Sequence, residues 1–224
     1  MNFNKHSDLE GKHAPFSASQ SSWLRYDDEK ILNTYFNRNR TNLGTELHEY
    51  AQTQINLLQK VSSVKSLQHE IATFIYTKYS MLEVPSYGLT LVQNLNCIPR
   101  EVFETLKLYI NDAIGFKMSP EVVLYYSDRF FGTADTICFR NNFLRIHDLK
   151  TGDTPIKRMD QLEIYAALFC LEYKIKPGEI DIELRKYQNN EILTHNPTAE
   201  DILPIMDKII HSEKILVKND YEEA

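Results

Sequence analysis

The chain has little of what marks several protein classes. Its three cysteines, Cys97, Cys138 and Cys170, are odd in number and widely spaced. They make neither a disulfide framework nor a CxxC metal knuckle, and they fit a reducing, cytoplasmic setting. Seven glycines and eight prolines in 224 residues exclude collagen-like and linker-dominated architectures. No apolar run approaches the ~20 residues that span a bilayer, so no membrane association is expected. Met1 to Lys12 is polar and lacks the apolar segment of a secretory signal. Positive charge is not in excess: 25 Lys and Arg face 31 Asp and Glu, a net charge of −6. That argues against a histone-like or broadly basic nucleic-acid binder. It does not exclude an enzyme that reaches phosphates through a metal and a local basic rim. No GxxxxGK[ST] phosphate loop is present, and the chain has no room for a helicase.

What is present is ample core material. Hydrophobic residues make up 42% of the chain, with 13 Tyr and 11 Phe, more than disordered chains carry. Residues 1–20 are polar and read as a loose segment, and 21–224 as a single domain with a helical part (21–117) and a sheet part (118–224). Ser21 or Ser22 is placed to cap a first helix carrying Trp23, Leu24, Ile31, Leu32, Tyr35 and Phe36. A second helix is expected over about Thr41–Val61, a third over about Leu67–Tyr79 and a fourth after Pro99, each with an apolar stripe at helical spacing. The period then changes to that of strands. Glu121–Tyr126, Phe131–Phe139 and Phe143–Leu149 read as an antiparallel meander, with Asn141-Asn142 as a turn. Residues 158–173 form an apolar helix, Ile180, Ile182 and Leu184 alternate as a strand, and Asn189-Asn190 turns into a short partner strand. Thr198 caps a last helix to about His211. This order predicts an α/β fold with a mixed central sheet flanked by helices.

The chemistry concentrates in Gly132–Gly152. Asp135 lies in one strand, and Asp148 and Lys150 close the next. Alternation puts Asp148 and Lys150 on one face, and pairing about Asn141-Asn142 sets Asp135 beside Asp148. Two carboxylates and an ammonium then converge, a set suited to Mg²⁺ or Mn²⁺ with a lysine to orient a water. A lone DxK is most often a surface acid and a salt-bridged lysine. Here the partly apolar flank Arg145-Ile146-His147 leads into the core, and Thr151-Gly152 breaks the strand where a substrate can approach the backbone.

Four stretches in order, Gly44-Thr45-Glu46-Leu47-His48, Gly132-Thr133-Ala134-Asp135, Asp148-Leu149-Lys150-Thr151-Gly152 and Gln161-Leu162-Glu163-Ile164-Tyr165, resemble the PD-(D/E)xK nuclease superfamily, in its RecB-like and phage-exonuclease-like branch. They stand where that branch has G-x-x-x-H, G-x-x-D, D-Y-K-T-G and Q-x-x-x-Y. Two departures are Gln52, where the branch often has Glu, and Leu149, where an aromatic residue is common. Neither removes a side-chain ligand. The resemblance implies a restriction-endonuclease-like core. It also implies a divalent ion held by His48, Asp135, Asp148 and the main-chain carbonyl of Leu149, with Lys150 at the attacking water. Gln161 and Tyr165 would brace the site and contact the substrate phosphate. Glu121 reads either as a carboxylate behind the ligands or as an ordinary strand acid. Thr151, Lys157 and Arg158 are candidate substrate contacts, against a plain solvated role. The iron–sulfur members of the branch use four cysteines, so no cluster is expected here.

The implied activity is phosphodiester hydrolysis to 5′-phosphate products. A DNA exonuclease acting on linear, end-bearing substrate is expected. The motif set resembles the exonuclease-rich branch, the helical half offers aromatic side chains for stacking on a frayed end, and no separate element remains for reading base edges. A stand-alone enzyme of this size resembles phage or mobile-element recombination nucleases, with a homo-oligomer and a recombination partner protein as expected company. The alternatives are an endonuclease of the same superfamily, an inactive DNA-binding or assembly subunit, and an RNA substrate. Intact Asp135, Asp148 and Lys150 argue against the inactive subunit.

Overall fold

The structure, a computed structural model, describes residues 25–152 and 157–222, with side chains throughout except at 28–29, 31–41 and 219–222. The expected loose segment 1–20 and the expected helix start at Ser21, Ser22, Trp23 and Leu24 lie outside the described residues, as do the side chains of Ile31, Leu32, Tyr35 and Phe36. Among the described residues the elements run α1 (Asp28–Asn56), α2 (Val64–Met81), α3 (Pro85–Leu95), α4 (Arg100–Gly115), β1 (Ser119–Ser127), β2 (Phe130–Arg140), β3 (Phe143–Leu149), α5 (Asp160–Tyr173), a 3-10 turn (Pro177–Glu179), β4 (Asp181–Gln188), β5 (Glu191–His195) and α6 (Ala199–Glu222). None of these helices is long and apolar enough to cross a membrane.

The first two expected helices are one. Asp27 starts α1: its Oδ1 accepts the Lys30 N–H at 2.8 Å, the bond a helix N-cap makes. No proline follows, and the single interior Gly44 lowers helix stability by only ~1 kcal/mol, so nothing interrupts the chain before Asn56. Helix α3 was not anticipated at all, although Pro85 sits at its first turn, where proline is favoured.

The chain divides into two compact units, 1–50 with 65–99 and 51–64 with 100–224. The helical part expected over 21–117 therefore does not coincide with the first unit, because α4 belongs with the sheet. In the first unit Leu43, Leu47, Leu67, Ile71, Ile75, Leu91 and Leu95 are buried. Tyr50 meets Phe74 edge-on and Tyr79 meets Tyr87 likewise. Gly88 permits this packing, since a Cβ there would lie 2.7 Å from Tyr79 Cβ. Buried Glu46 accepts from Lys78 Nζ at 3.0 Å and from the Tyr79 hydroxyl at 2.8 Å, which compensates its charge.

The second unit is built on a five-stranded mixed sheet of order β1-β2-β3-β4-β5. The meander β1-β2-β3 is antiparallel, β3 and β4 are parallel, and β5 returns antiparallel. Two of the three hairpin turns use paired asparagines at positive φ, Asn141-Asn142 (52°, 57°) and Asn189-Asn190 (51°, 58°), the conformation whose twist suits two-residue hairpins. The parallel pair requires a crossover, which α5 supplies. Helix α5 buries Leu162, Ala166, Ala167, Leu168, Phe169 and Cys170, because it lies between the sheet and α6. On the opposite face α4 packs against β3 and β4. There Tyr109 meets Tyr187 edge-on and the Tyr187 hydroxyl donates to Asp112 at 2.7 Å. Thr198 caps α6 as expected and Asp201 answers it, accepting from Thr198 N–H and hydroxyl at 2.7 and 2.9 Å. That helix runs on past His211 to Glu222.

Candidate active site

Register builds the site. Across β2 and β3 the pairs run Arg140↔Phe143 through Thr136↔His147, and the next step sets Asp135 opposite Asp148. Across β1 and β2, Pro120↔Thr136 and Val122↔Ala134 flank the position where Glu121 faces Asp135. Across β3 and β4, Asp148 pairs with Lys186. Three carboxylates and one ammonium thus form a row across four adjacent strands: Glu121, Asp135, Asp148, Lys186. Glu121 adopts φ 51° within its strand, a conformation costly for a non-glycine residue and found where surrounding structure imposes it.

A carboxylate oxygen of Glu121 and one of Asp135 lie within 4.8 Å of each other. Asp135 Oδ2 accepts the Leu149 N–H at 2.8 Å. Asp148 is buried, and its Oδ1 accepts from Lys150 Nζ at 2.9 Å. Asp148 Oδ2 is buried with no hydrogen-bond partner among the described residues. Burial, and then the Asp148 charge, push the Asp135 carboxyl up to about 7 from 3.8, against the opposing pull of the Leu149 amide and Lys150. Neighbouring carboxylates shielded from water resist double ionisation in this way. An orphaned carboxylate oxygen beside a carboxyl that clings to its proton is an unsatisfied arrangement for protein alone. It is what a hard divalent cation relieves.

Lys150, Gln161 and Tyr165 are hydrogen-bonded in series. Lys150 Nζ also donates to Gln161 Oε1 at 3.0 Å, and Gln161 Nε2 donates to the Tyr165 hydroxyl at 2.9 Å. An ammonium has three donors, so Lys150 keeps one proton beyond those given to Asp148 and Gln161. Burial, the first cause, raises the Tyr165 hydroxyl above its ordinary value, so it stays protonated and can donate outward. Gly132 makes room for this ring: a Cβ there would lie 2.7 Å from Tyr165 Cε1. The glycine of the Gly132–Asp135 stretch is thereby explained by close approach and needs no special φ.

Other expected residues are placed more loosely. His48 is half-buried on α1, in the first unit. Thr151 is half-buried just past β3, while Lys157 and Arg158 are exposed ahead of α5, the Arg158 guanidinium standing 4.0 Å from Asp160.

Sequence reasoning missed two residues. Lys186 is buried with 3% exposure, and its Nζ donates to the Arg158 carbonyl. It continues the Ile182, Leu184 series, so the signal was an ammonium where period-2 alternation demands an apolar side chain. Tyr109 was expected inward as core. Its hydroxyl is raised well above its usual value by burial and then by the charge of Asp135, which places a neutral phenol near the carboxylates. On the same side as α4, His147 is held neutral, its imidazole pushed down to about 3 by burial and by Arg185 and Arg145.

No family model, no curated protein and no solved structure matches the chain. The chemistry is therefore argued from the side chains themselves.

Proposed function

We propose that the protein is a divalent-metal-dependent DNA exonuclease of the PD-(D/E)xK type, leaving 5′-phosphates. The observation that carries this reading is the opposed pair of half-buried Asp135 and buried Asp148, with Lys150 Nζ 2.9 Å from Asp148 Oδ1 and the second Asp148 oxygen orphaned. Asp135, Asp148 and the Leu149 carbonyl, with Glu121, would hold Mg²⁺ or Mn²⁺. When bound, such an ion supplies an acidified water and charge neutralisation at a phosphate.

The chain's own residues do the rest. Lys150 points its remaining proton at the nucleophile or the scissile phosphate. Gln161 fixes Lys150, and Tyr165 fixes the Gln161 amide in the orientation that accepts from lysine. Tyr165 offers its hydroxyl proton to a phosphate oxygen.

The test is digestion of 5′- and 3′-labelled linear duplex, linear single strand and covalently closed circle, with Mg²⁺ and with Mn²⁺. Mononucleotides or short oligomers from linear DNA with the circle intact support the proposal. Rapid cutting of the circle makes the enzyme an endonuclease, and no cleavage of any substrate overturns the reading.

A further inference from the structure

Helix α5 carries Gln161 in its first turn, where helices fray unless a side chain caps them. Its N-cap residue is Met159, which makes no side-chain cap bond. The connection leading to it is gripped from β4 instead. Lys186 Nζ donates to the Arg158 carbonyl and Gln188 Nε2 donates to the Gly152 carbonyl at 2.7 Å. Lys186 and Gln188 are two residues apart on one strand and so share a face, and both are buried. They hold the two ends of the segment that joins the Asp148–Lys150 strand to α5. A buried ammonium is costly, and a well-packed apolar residue of similar size is often as stable or more so. Its presence opposite Asp148 calls for a role other than stability.

We infer that Lys186, aided by Gln188, is a positioning residue for the reaction: it clamps the start of α5 so that Gln161 stays in register with Lys150. This rests on the nuclease reading for its kinetic consequence and on geometry alone for the clamp.

The test compares Lys186→Met and Lys186→Gln in the full chain. The methionine fills the volume without donating, while the glutamine amide retains a donor for the Arg158 carbonyl. Lys186→Met is expected to fold with a Tm at or above that of the wild type. Its kcat on linear DNA should fall about 10- to 100-fold, the loss typical of a supporting partner, with KM for DNA little changed. Lys186→Gln should recover most of that rate. Equal rates for wild type and Lys186→Met would overturn the inference while leaving the nuclease reading intact, and so would a failure of Lys186→Gln to recover. If the wild type cleaves nothing, hydrogen exchange still decides the clamp. Amides of the first turn of α5 should exchange at least tenfold faster in Lys186→Met, and unchanged exchange there refutes it.

Discussion

Replacing Asp135 by asparagine should abolish metal binding and yet stabilise the metal-free protein. Burial and the Asp148 charge raise the Asp135 carboxyl from 3.8 to about 7, roughly 3 units at 1.36 kcal/mol each, so ionising it in the folded state costs up to about 4 kcal/mol. An amide keeps the acceptor for the Leu149 N–H and offers a donor toward Asp148. It loses the attraction of Lys150, so the net gain expected at pH 8 is about 1–3 kcal/mol. The pH dependence carries the sign. Between about pH 4 and 7 the folded wild type keeps a proton that the unfolded chain has released. The folded state then binds more protons than the unfolded one, and stability falls as pH rises through that window before levelling above 7. The Asn variant lacks this slope. Urea denaturation in EDTA at pH 5, 6, 7 and 8 measures it. A variant no more stable than wild type at pH 8, or a wild type that gains on the variant between pH 5 and 7, refutes the carboxylate-pair reasoning. Added Mn²⁺ should raise the Tm of the wild type in a concentration-dependent way and leave the variant where it was.

Lys150→Ala should lose at least about 100-fold in cleavage, within the range of a positioned proton-handling group, while calorimetry shows Mn²⁺ affinity retained; near wild-type cleavage would sink the assignment. Gly132→Ala drives a methyl to 2.7 Å from Tyr165 Cε1, so the ring must move, the Gln161 bond must stretch, and kcat should fall about tenfold with metal affinity unchanged, as for loss of a supporting contact. Lys117→Gly and Lys174→Gly, at positions of φ 55°, should each raise stability by about 1 kcal/mol, because glycine carries no steric penalty there; a loss in either on chemical denaturation would show that the side chain matters more than the backbone.

Strand positions, turns and the opposition of Asp135 and Asp148 were legible because each rests on local rules: period 2, paired asparagines, and a register fixed by a two-residue turn. Helix boundaries were less legible, for a reason specific to this glycine-poor chain. Helices α1, α2, α4 and α5 end with Leu58, Glu83, Lys117 and Lys174 at φ between 55° and 58°, where glycine is the usual stop signal. The bonds there are those of a left-handed cap, for example Gln59 N–H to the Gln54 carbonyl at 3.0 Å and Met118 N–H to the Ala113 carbonyl at 2.9 Å. Their residue types announce nothing, and so α1 was expected to run to Val61 and α3 was overlooked. Lys186 was hidden differently, because its role depends on the parallel pairing of β3 with β4, a contact between segments far apart in sequence.

The row Glu121–Asp135–Asp148–Lys186 joins these observations. Sheets normally bury apolar residues at central positions, and charges there require partners. Within the row Asp148 and Lys186 are buried, Asp135 is half-buried, and Glu121 is exposed on the edge strand β1. Lys186 spends its hydrogen bond on the Arg158 carbonyl rather than on Asp148. Among the described residues the buried Asp148 is therefore incompletely satisfied, its Oδ2 lacking a partner. Replacing the buried charges of such a cluster together by well-packed apolar side chains is often neutral or stabilising, so stability alone does not account for them. The proposed metal-dependent reading accounts for the presence of these charges and for the φ of 51° at Glu121 beside Asp135.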